Sequence, residues 1–213
     1  MFKTIEYSNK EKYRIVADWL MRENGKGSLL DIGARDRKLL TYLKGGAIKY
    51  FSADLIPGHD YRLDLEAKLP FEDGHFAYTV ALDVIEHVER IHDAFAELAR
   101  ITSDTMFIAL PNMSALSRRK AYLFRGNLGT TKYSLLPDHQ GDRHRWLTVY
   151  HEMNAFVESS ARKAGMRAEL MVECMEGGPV GQFITRMGKF RNGLFCERCV
   201  YVLRRETVPE GKR

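Results

Sequence analysis

The 213-residue chain holds three cysteines and six prolines, and no apolar run in it approaches the length of a membrane span. Cys174 stands alone, and Cys196 and Cys199 form one C-x-x-C pair. The count is odd and small, which excludes a disulfide framework. A reducing compartment, the cytoplasm, is the expected setting. Residues 1–10 are polar and charged and lack the apolar core of a signal peptide. Repeats and low-complexity tracts are absent, which excludes solenoid and fibrous folds. Also missing is the G-x-G-x-x-G run that cradles a dinucleotide pyrophosphate. A large surplus of one charge sign is missing too, since 33 basic residues face 28 acidic ones for a net +5. With no interleaved aromatic and basic platform visible, nucleic acid is not the expected partner.

What is present suffices for one core. A chain of this length and 45% hydrophobic content fits a single domain over residues 1–213 without disulfides or metals. Strand-like apolar runs occupy 28–32, 48–53, 76–82, 106–110, 167–174 and 195–203. Helical periods occupy 9–22, 36–43, 91–101, 118–124 and 148–164, the last with Phe156 and Val157 inward. Turns are expected around Gly25 and Gly27, at Gly45 and Gly46, at 57–60, at 72–74 and at 177–179. This alternation predicts an α/β fold, a parallel sheet with helices on both faces. Residues 113–147 lose the pattern and read as a substrate-binding or lid insertion.

Open parallel sheets bind ligands beyond the carboxyl ends of their strands. At those ends stand Asp31 with Gly33, then Asp54, Asp83, and Pro111 with Asn112. Gly33 lets the chain turn tightly and approach a ligand without a side chain between. A helix opening near Asp36 offers backbone N–H groups to acceptors. Asp54, 23 residues after Asp31, suits the hydroxyls of a ribose. Helix capping for Asp31 and Asp36, and an ordinary turn for Asp54, are the competing readings. Asp64 and Leu65 read as one polar and one apolar contact beside a base ring, or as a simple turn.

The stretch 29–112 resembles the class I S-adenosylmethionine-dependent methyltransferases, and more closely their type-11 and MetW-like branch. Leu30, Asp31, Ile32 and Gly33 stand at the first motif, and Asp54 at the ribose-binding acid. Leu69, Pro70 and Phe71, the acidic turn Glu72, Asp73 and Gly74, and then His75 and Phe76 match the lead-in to the fourth strand. Asp83, Val84, Ile85, Glu86, His87 and Val88 match the segment after it, and Leu110, Pro111 and Asn112 the end of strand five. The resemblance implies a Rossmann-like, seven-stranded, mostly parallel sheet. It implies S-adenosyl-L-methionine as cofactor, bound by Asp31, Gly33, Arg35, Asp54, Asp64, Leu65 and Asp83. It implies methyl transfer to a small molecule or metabolite. Arginines stand at 35 and 37, where the family usually has glycines. Ala77 and residues 102–104 also depart from the pattern. Arg35 turns outward, grips the carboxylate of the methionine moiety as a bidentate fork, or fills the cradle. The last case implies the alternative, a catalytically inactive methyltransferase-fold binding or regulatory protein. A nucleic-acid methyltransferase ranks behind both, because no Asn/Asp-Pro-Pro-Tyr/Phe motif follows the fourth strand.

Methyl transfer to a hydroxyl gains from a base, and histidine is the side chain poised near pH 7. His87, just past the strand at 76–82, is the expected wall or polar contact of the active site. Glu86 beside it is expected to face solvent or to serve a cap. His144 is the candidate base, on a loop that also carries His139, Asp142 and His151. Their spacing matches no metal motif, so no metal is expected. Met113, Tyr122, Phe124, Tyr133, Leu135 and Leu136 line an apolar substrate pocket or anchor the loop. Arg118, Arg119 and Lys120 suit an anionic small-molecule substrate or form a solvated basic face. In an extended strand Cys196 and Cys199 point to opposite sides and carry no redox role. The oligomeric state and the methyl acceptor stay open.

Overall fold

Leu29 and Leu30 are sequence neighbours and both wholly buried, as a strand covered on both faces allows. The computed structural model describes residues 2–8, 10–43, 47–134, 143–175 and 193–206. In it the two leucines lie on β2 (Gly27–Ile32) of an eight-stranded sheet. The other strands are β1 (Thr4–Ser8), β3 (Ile48–Asp54), β4 (Tyr61–Arg62), β5 (Phe76–Leu82), β6 (Thr102–Pro111), β7 (Met166–Met175) and β8 (Cys196–Arg205). Their order across the sheet is β1-β7-β8-β6-β5-β2-β3-β4. Only β8 runs antiparallel to its neighbours, so the carboxyl ends of β2, β3, β5, β6 and β7 share one edge.

Among the described residues five α-helices accompany the sheet: α1 (Lys12–Arg22), α2 (Lys38–Tyr42), α3 (Ile91–Arg100), α4 (Leu116–Arg125) and α5 (Tyr150–Lys163). Alternation along the strands divides the core into two layers. Leu29, Val80, Leu82 and Phe107 meet Val16, Trp19 and Leu20 of α1 and Leu39 of α2. Leu30, Ala81 and Ile108 meet Phe95 and Leu98 of α3 and Val157 of α5. Helices therefore cover both faces, as the alternation predicts. Helix α4 has no buried residue. Among the described residues no helix is long and apolar enough to cross a membrane.

The sheet has eight strands where the resemblance implies seven. Its two edge strands announce themselves poorly. β1 has no buried side chain but pairs along β7 from Thr4 with Leu170 to Ser8 with Cys174. β4 is two residues long. β6 begins at Thr102, earlier than its apolar run, because Thr102 and Thr105 are buried polar positions. The Thr102 hydroxyl lies 2.6 Å from that of Thr79 and donates to the Leu98 carbonyl. Helix α2 begins at Lys38, not near Asp36, because Arg37 adopts a left-handed conformation. The expected turns at Gly45 and Gly46 and at 177–179 fall outside the described residues.

Cys196 and Cys199 do not point apart. Their sulfurs lie 3.5 Å from each other, and both residues are buried. Cys174 pairs with Arg198 but Met175 pairs with Cys196, so Glu197 is an extra residue that shifts the register. That bulge turns the pair onto one face.

Asn112 fastens the end of β6. Its amide donates to the carbonyls of Gly193 and Cys196, at 2.8 and 2.7 Å, and its oxygen accepts from the Ser114 amide and hydroxyl. Replacing Asn112 by Ala strands buried carbonyls and is expected to cost about 2–4 kcal/mol. Urea unfolding checks this: the midpoint falls while the slope stays unchanged.

Candidate cofactor site and active site

After β2 the chain turns over the sheet edge. The amides of Gly33 and Ala34 both donate to the Ala53 carbonyl, at 2.9 and 3.2 Å. Gly33 has φ +70°, and a Cβ there would stand 2.5 Å from Val84 Cγ2. Glycine is required twice over, by conformation and by packing. Left-handed backbone recurs at Arg35 (φ 41°) and Arg37 (φ 54°). The turn thus keeps a glycine-type path at 33, 35 and 37 although two of the three residues are arginines. Each such non-glycine residue costs roughly 1–2 kcal/mol. Arg37 directs its guanidinium to the Ser52 hydroxyl, 3.1 Å from Nε, and to the Gly58 carbonyl. Arg35 is exposed, and its amide donates to Asp54 Oδ2 at 3.2 Å. Asp54 Oδ1 accepts from the Ile56 amide at 3.3 Å. A carboxylate has about four acceptor positions, so Asp54 retains capacity for hydroxyl donors.

The remaining strand-end acids differ sharply. Asp31 is 2% exposed and accepts a hydrogen bond from Tyr50 Oη at 2.8 Å. Burial pushes its carboxyl up to about 7, against the pull of the Tyr50 hydroxyl and the Lys12 charge. Asp83, at φ 58°, joins two cations, Lys12 Nζ at 2.8 Å and Arg198 Nε at 2.7 Å. Burial opposes its ionisation, but Arg198 and Lys12 together hold the carboxyl below its ordinary range. A cavity of ≈ 330 Å³ opens beside this pair, with Lys10, Lys12, Lys38 and Arg198 among its walls together with Glu11 and Glu197. Neither Lys12 nor Arg198 is marked by any motif in the sequence. Asp64 is exposed and accepts from the Glu66 amide at 2.9 Å as a local turn. Leu65 is 6% exposed and belongs to the core layer under α3 and α5.

A single 3-10 turn, Ile85–His87, follows β5. Glu86 is 0% exposed, not solvent-facing as expected, and neither carboxylate oxygen has a hydrogen-bond partner among the described residues. Burial, reinforced by the Asp83 charge, holds its carboxyl well above the usual range. Segment 143–149 lies on this turn. The Arg145 and Trp146 amides donate to the Glu86 carbonyl at 2.8 and 3.3 Å, and Trp146 Nε1 donates to the Val88 carbonyl at 2.9 Å. The rings of His87 and His144 meet edge to face at 4.5 Å. The structure thus brings together the two histidines singled out in the sequence. His87 Nδ1 lies 3.0 Å from the Arg143 carbonyl, and His144 Nδ1 lies 2.9 Å from Tyr133 Oη.

Other candidates separate. Tyr122 and Phe124 are 64% and 79% exposed. With the exposed Arg119, Lys120 and Arg125 they form the mixed aromatic and basic face on α4 that the sequence reading did not find. Arg118 is tied to Glu197 at 3.5 Å and to the Gly129 carbonyl at 3.1 Å. Met113 is buried, and His151 is exposed. Leu135, Leu136, His139 and Asp142 lie outside the described residues.

The Asp31 carboxyl keeps its proton in the native state up to about 7, whereas an unfolded one loses it near 4. Between those values the native state binds more protons, so stability falls as pH rises. Relative to Asp31→Asn, the wild type is expected to lose roughly 2–3 kcal/mol between about pH 5 and about pH 8. Urea unfolding across that range checks it, and parallel profiles for the two proteins contradict it.

Comparison with known proteins follows the same stretch of chain. A family model described as a methyltransferase domain matches residues 30–108. No curated protein matches the sequence. Among solved structures, a chain of the Haloferax volcanii complex between the Trm112 methyltransferase activator and a methyltransferase is similar, at TM-score 0.57 and 14% identity, covering 93% of this chain and 91% of that one. The methyltransferase domain of bacterial CtHen1 is similar at TM-score 0.60 and 15% identity, covering 92% and 98%. The small RNA methyltransferase HEN1 aligns at TM-score 0.61 and 14% identity, with 94% of this chain covering only 26% of that one. The methyltransferase-domain match runs from β2 into β6, and the solved structures share the fold, the α/β Rossmann-like architecture of class I S-adenosylmethionine-dependent methyltransferases.

Proposed function

We propose that the protein is an S-adenosylmethionine-dependent methyltransferase acting on a small molecule, with residues 113–147 as its substrate-binding insertion. The backbone of the turn after β2 carries this reading. It holds left-handed conformations at 33, 35 and 37 at a steric cost, and Arg37 turns its side chain away onto Ser52 and Gly58. Backbone held at such a cost clusters at ligand clamps, which supports the reading. The bare Cα of Gly33, the Arg35 amide and the Asp54 carboxylate would hold the cofactor, with Asp31 behind them. Asp83 would act through the position of Lys12 and Arg198. Asp64 and Leu65 follow β4, where Arg62 pairs with Asp54, and would flank the base. S-adenosylmethionine, when bound, supplies a methyl group activated on a sulfonium. Lys10, Lys12, Lys38 and Arg198 outnumber Glu11 and Glu197 in the walls of the cavity beside Asp83, which favours an anionic acceptor.

His87 and His144 would face the acceptor. Tyr133 Oη donates to the Trp146 carbonyl at 2.9 Å and so receives its hydrogen from His144 Nδ1. That arrangement makes Nε2 the proton-accepting atom of His144 for a hydroxyl acceptor.

A nucleic-acid acceptor is the second reading, favoured by the exposed Tyr122 and Phe124 among Arg119, Lys120 and Arg125 on α4. Two of the similar solved structures are named as a small RNA methyltransferase and a bacterial Hen1 methyltransferase domain.

Calorimetry with S-adenosylhomocysteine tests the leading reading. The wild type is expected to bind, and Asp54→Ala to weaken binding roughly 10- to 100-fold through lost charge-assisted hydrogen bonds. No binding by the wild type, with binding gained in Arg35→Gly, identifies an inactive fold whose arginine fills the cradle. On the small-molecule reading, single-stranded RNA is not retained at physiological salt. Retention that falls with salt and is lost in Tyr122→Ala with Phe124→Ala transfers the proposal to nucleic acid.

A further inference from the structure

We propose that Glu86, His87 and His144 form a three-ligand site for a divalent transition-metal ion of the Zn²⁺ and Mn²⁺ class. One ligand atom from each residue lies within 4.8 Å of the others. Two of the residues come from the turn after β5 and the third from segment 143–149. The backbone bonds from Arg145 and Trp146 to the Glu86 carbonyl hold the two pieces together. The sequence hides this, because His144 stands 57 residues after the adjacent Glu86–His87 pair.

Glu86 is the observation that points to a cation. Its side chain is wholly buried, and among the described residues both oxygens lack a hydrogen-bond partner. Burying a carboxyl without partners is costly, and a bound cation is one of the few groups that would satisfy it. His144 Nε2 already stands 3.9 Å from Glu86 Oε1. Asp83 is not a fourth ligand, since Lys12 and Arg198 occupy its two oxygens.

The rings are held as metal ligands are held. The Arg143 carbonyl engages Nδ1 of His87, and Tyr133 Oη, itself anchored on the Trp146 carbonyl, engages Nδ1 of His144. Such outer contacts orient a ring and direct its Nε2 to the ion. Two imidazoles and one carboxylate suit Zn²⁺, Mn²⁺, Fe²⁺ or Co²⁺ better than the all-oxygen shells of Mg²⁺ or Ca²⁺. Ligand bonds near 2 Å place tetrahedral donors roughly 3.4 Å apart, so the three atoms close in by about an ångström on binding. Three protein ligands leave a position for water or an acceptor oxygen, and His144 then serves as ligand rather than base. Metal binding itself stands apart from the methyltransferase reading; only that use of the open position rests on it.

The test uses the full chain stripped with a chelator and titrated with Co²⁺ and Mn²⁺. One equivalent is expected to bind, without a thiolate-to-cobalt band. Glu86→Gln and His144→Ala are each expected to weaken uptake at least 10-fold, and Cys196→Ser to leave it unchanged. Glu86→Gln replaces a buried carboxyl that lacks hydrogen-bond partners by a neutral amide of the same shape, so its metal-free melting temperature is expected to hold. The rise that metal gives the wild type is expected to vanish. No stoichiometric uptake, uptake indifferent to Glu86→Gln and His144→Ala, or a thiolate band lost in Cys196→Ser would overturn the site. S-adenosylhomocysteine binding to the stripped protein separates this failure from a failure of the cofactor reading.

Discussion

The close passage of Gly33 over Val84 is the constraint on which the site depends. No side chain fits there, since a Cβ would meet Val84 Cγ2 at 2.5 Å. The contact presses the turn after β2 against the segment after β5. The Gly33 and Ala34 amides, both on the Ala53 carbonyl, press the same turn against β3. Three strand ends are thereby locked at one sheet edge. The left-handed turn at 35 and 37, the Asp54 carboxylate and the 3-10 turn bearing Glu86 and His87 all take their positions from it.

Electrostatics then sorts the acids at that edge. Asp83 gains two cations and stays ionised. Asp31 gains one phenol and holds its proton up to about 7. Glu86 has no hydrogen-bond partner among the described residues, and its carboxyl is held well above the usual range. Three carboxyls within a few residues of strand termini thus stand in three protonation regimes, set by partners rather than by residue type. Lys12, at the start of α1, and Arg198, on the bulged start of β8, reach the same acid from elements distant in sequence. This is how the start of α1 and the start of β8, neither part of the first motif, shape the pocket.

The α/β class and most strands were legible because buried parallel strands read as apolar runs. The six runs expected from the sequence all form strands. The edges were not legible, since a strand such as Thr4–Ser8 needs only backbone pairing and buries no side chain. Arg35 and Arg37 show another limit. Residue type argues against a glycine-type turn, yet neighbouring contacts hold the backbone there. The approach of His87 to His144 was anticipated only as membership of one site. The burial of Glu86 was missed because a charged residue after a strand ordinarily faces water. The meeting of Cys196 with Cys199 depends on a bulge at Glu197 that no local pattern marks.

A crystal structure of the full chain with S-adenosylhomocysteine tests the cradle most directly. Density for the nucleoside between Gly33 and Asp54, with the turn at 33–37 unchanged and the Arg35 guanidinium outside that space, is the expected result. A guanidinium lying between Gly33 and Asp54, with no nucleoside there, would contradict it.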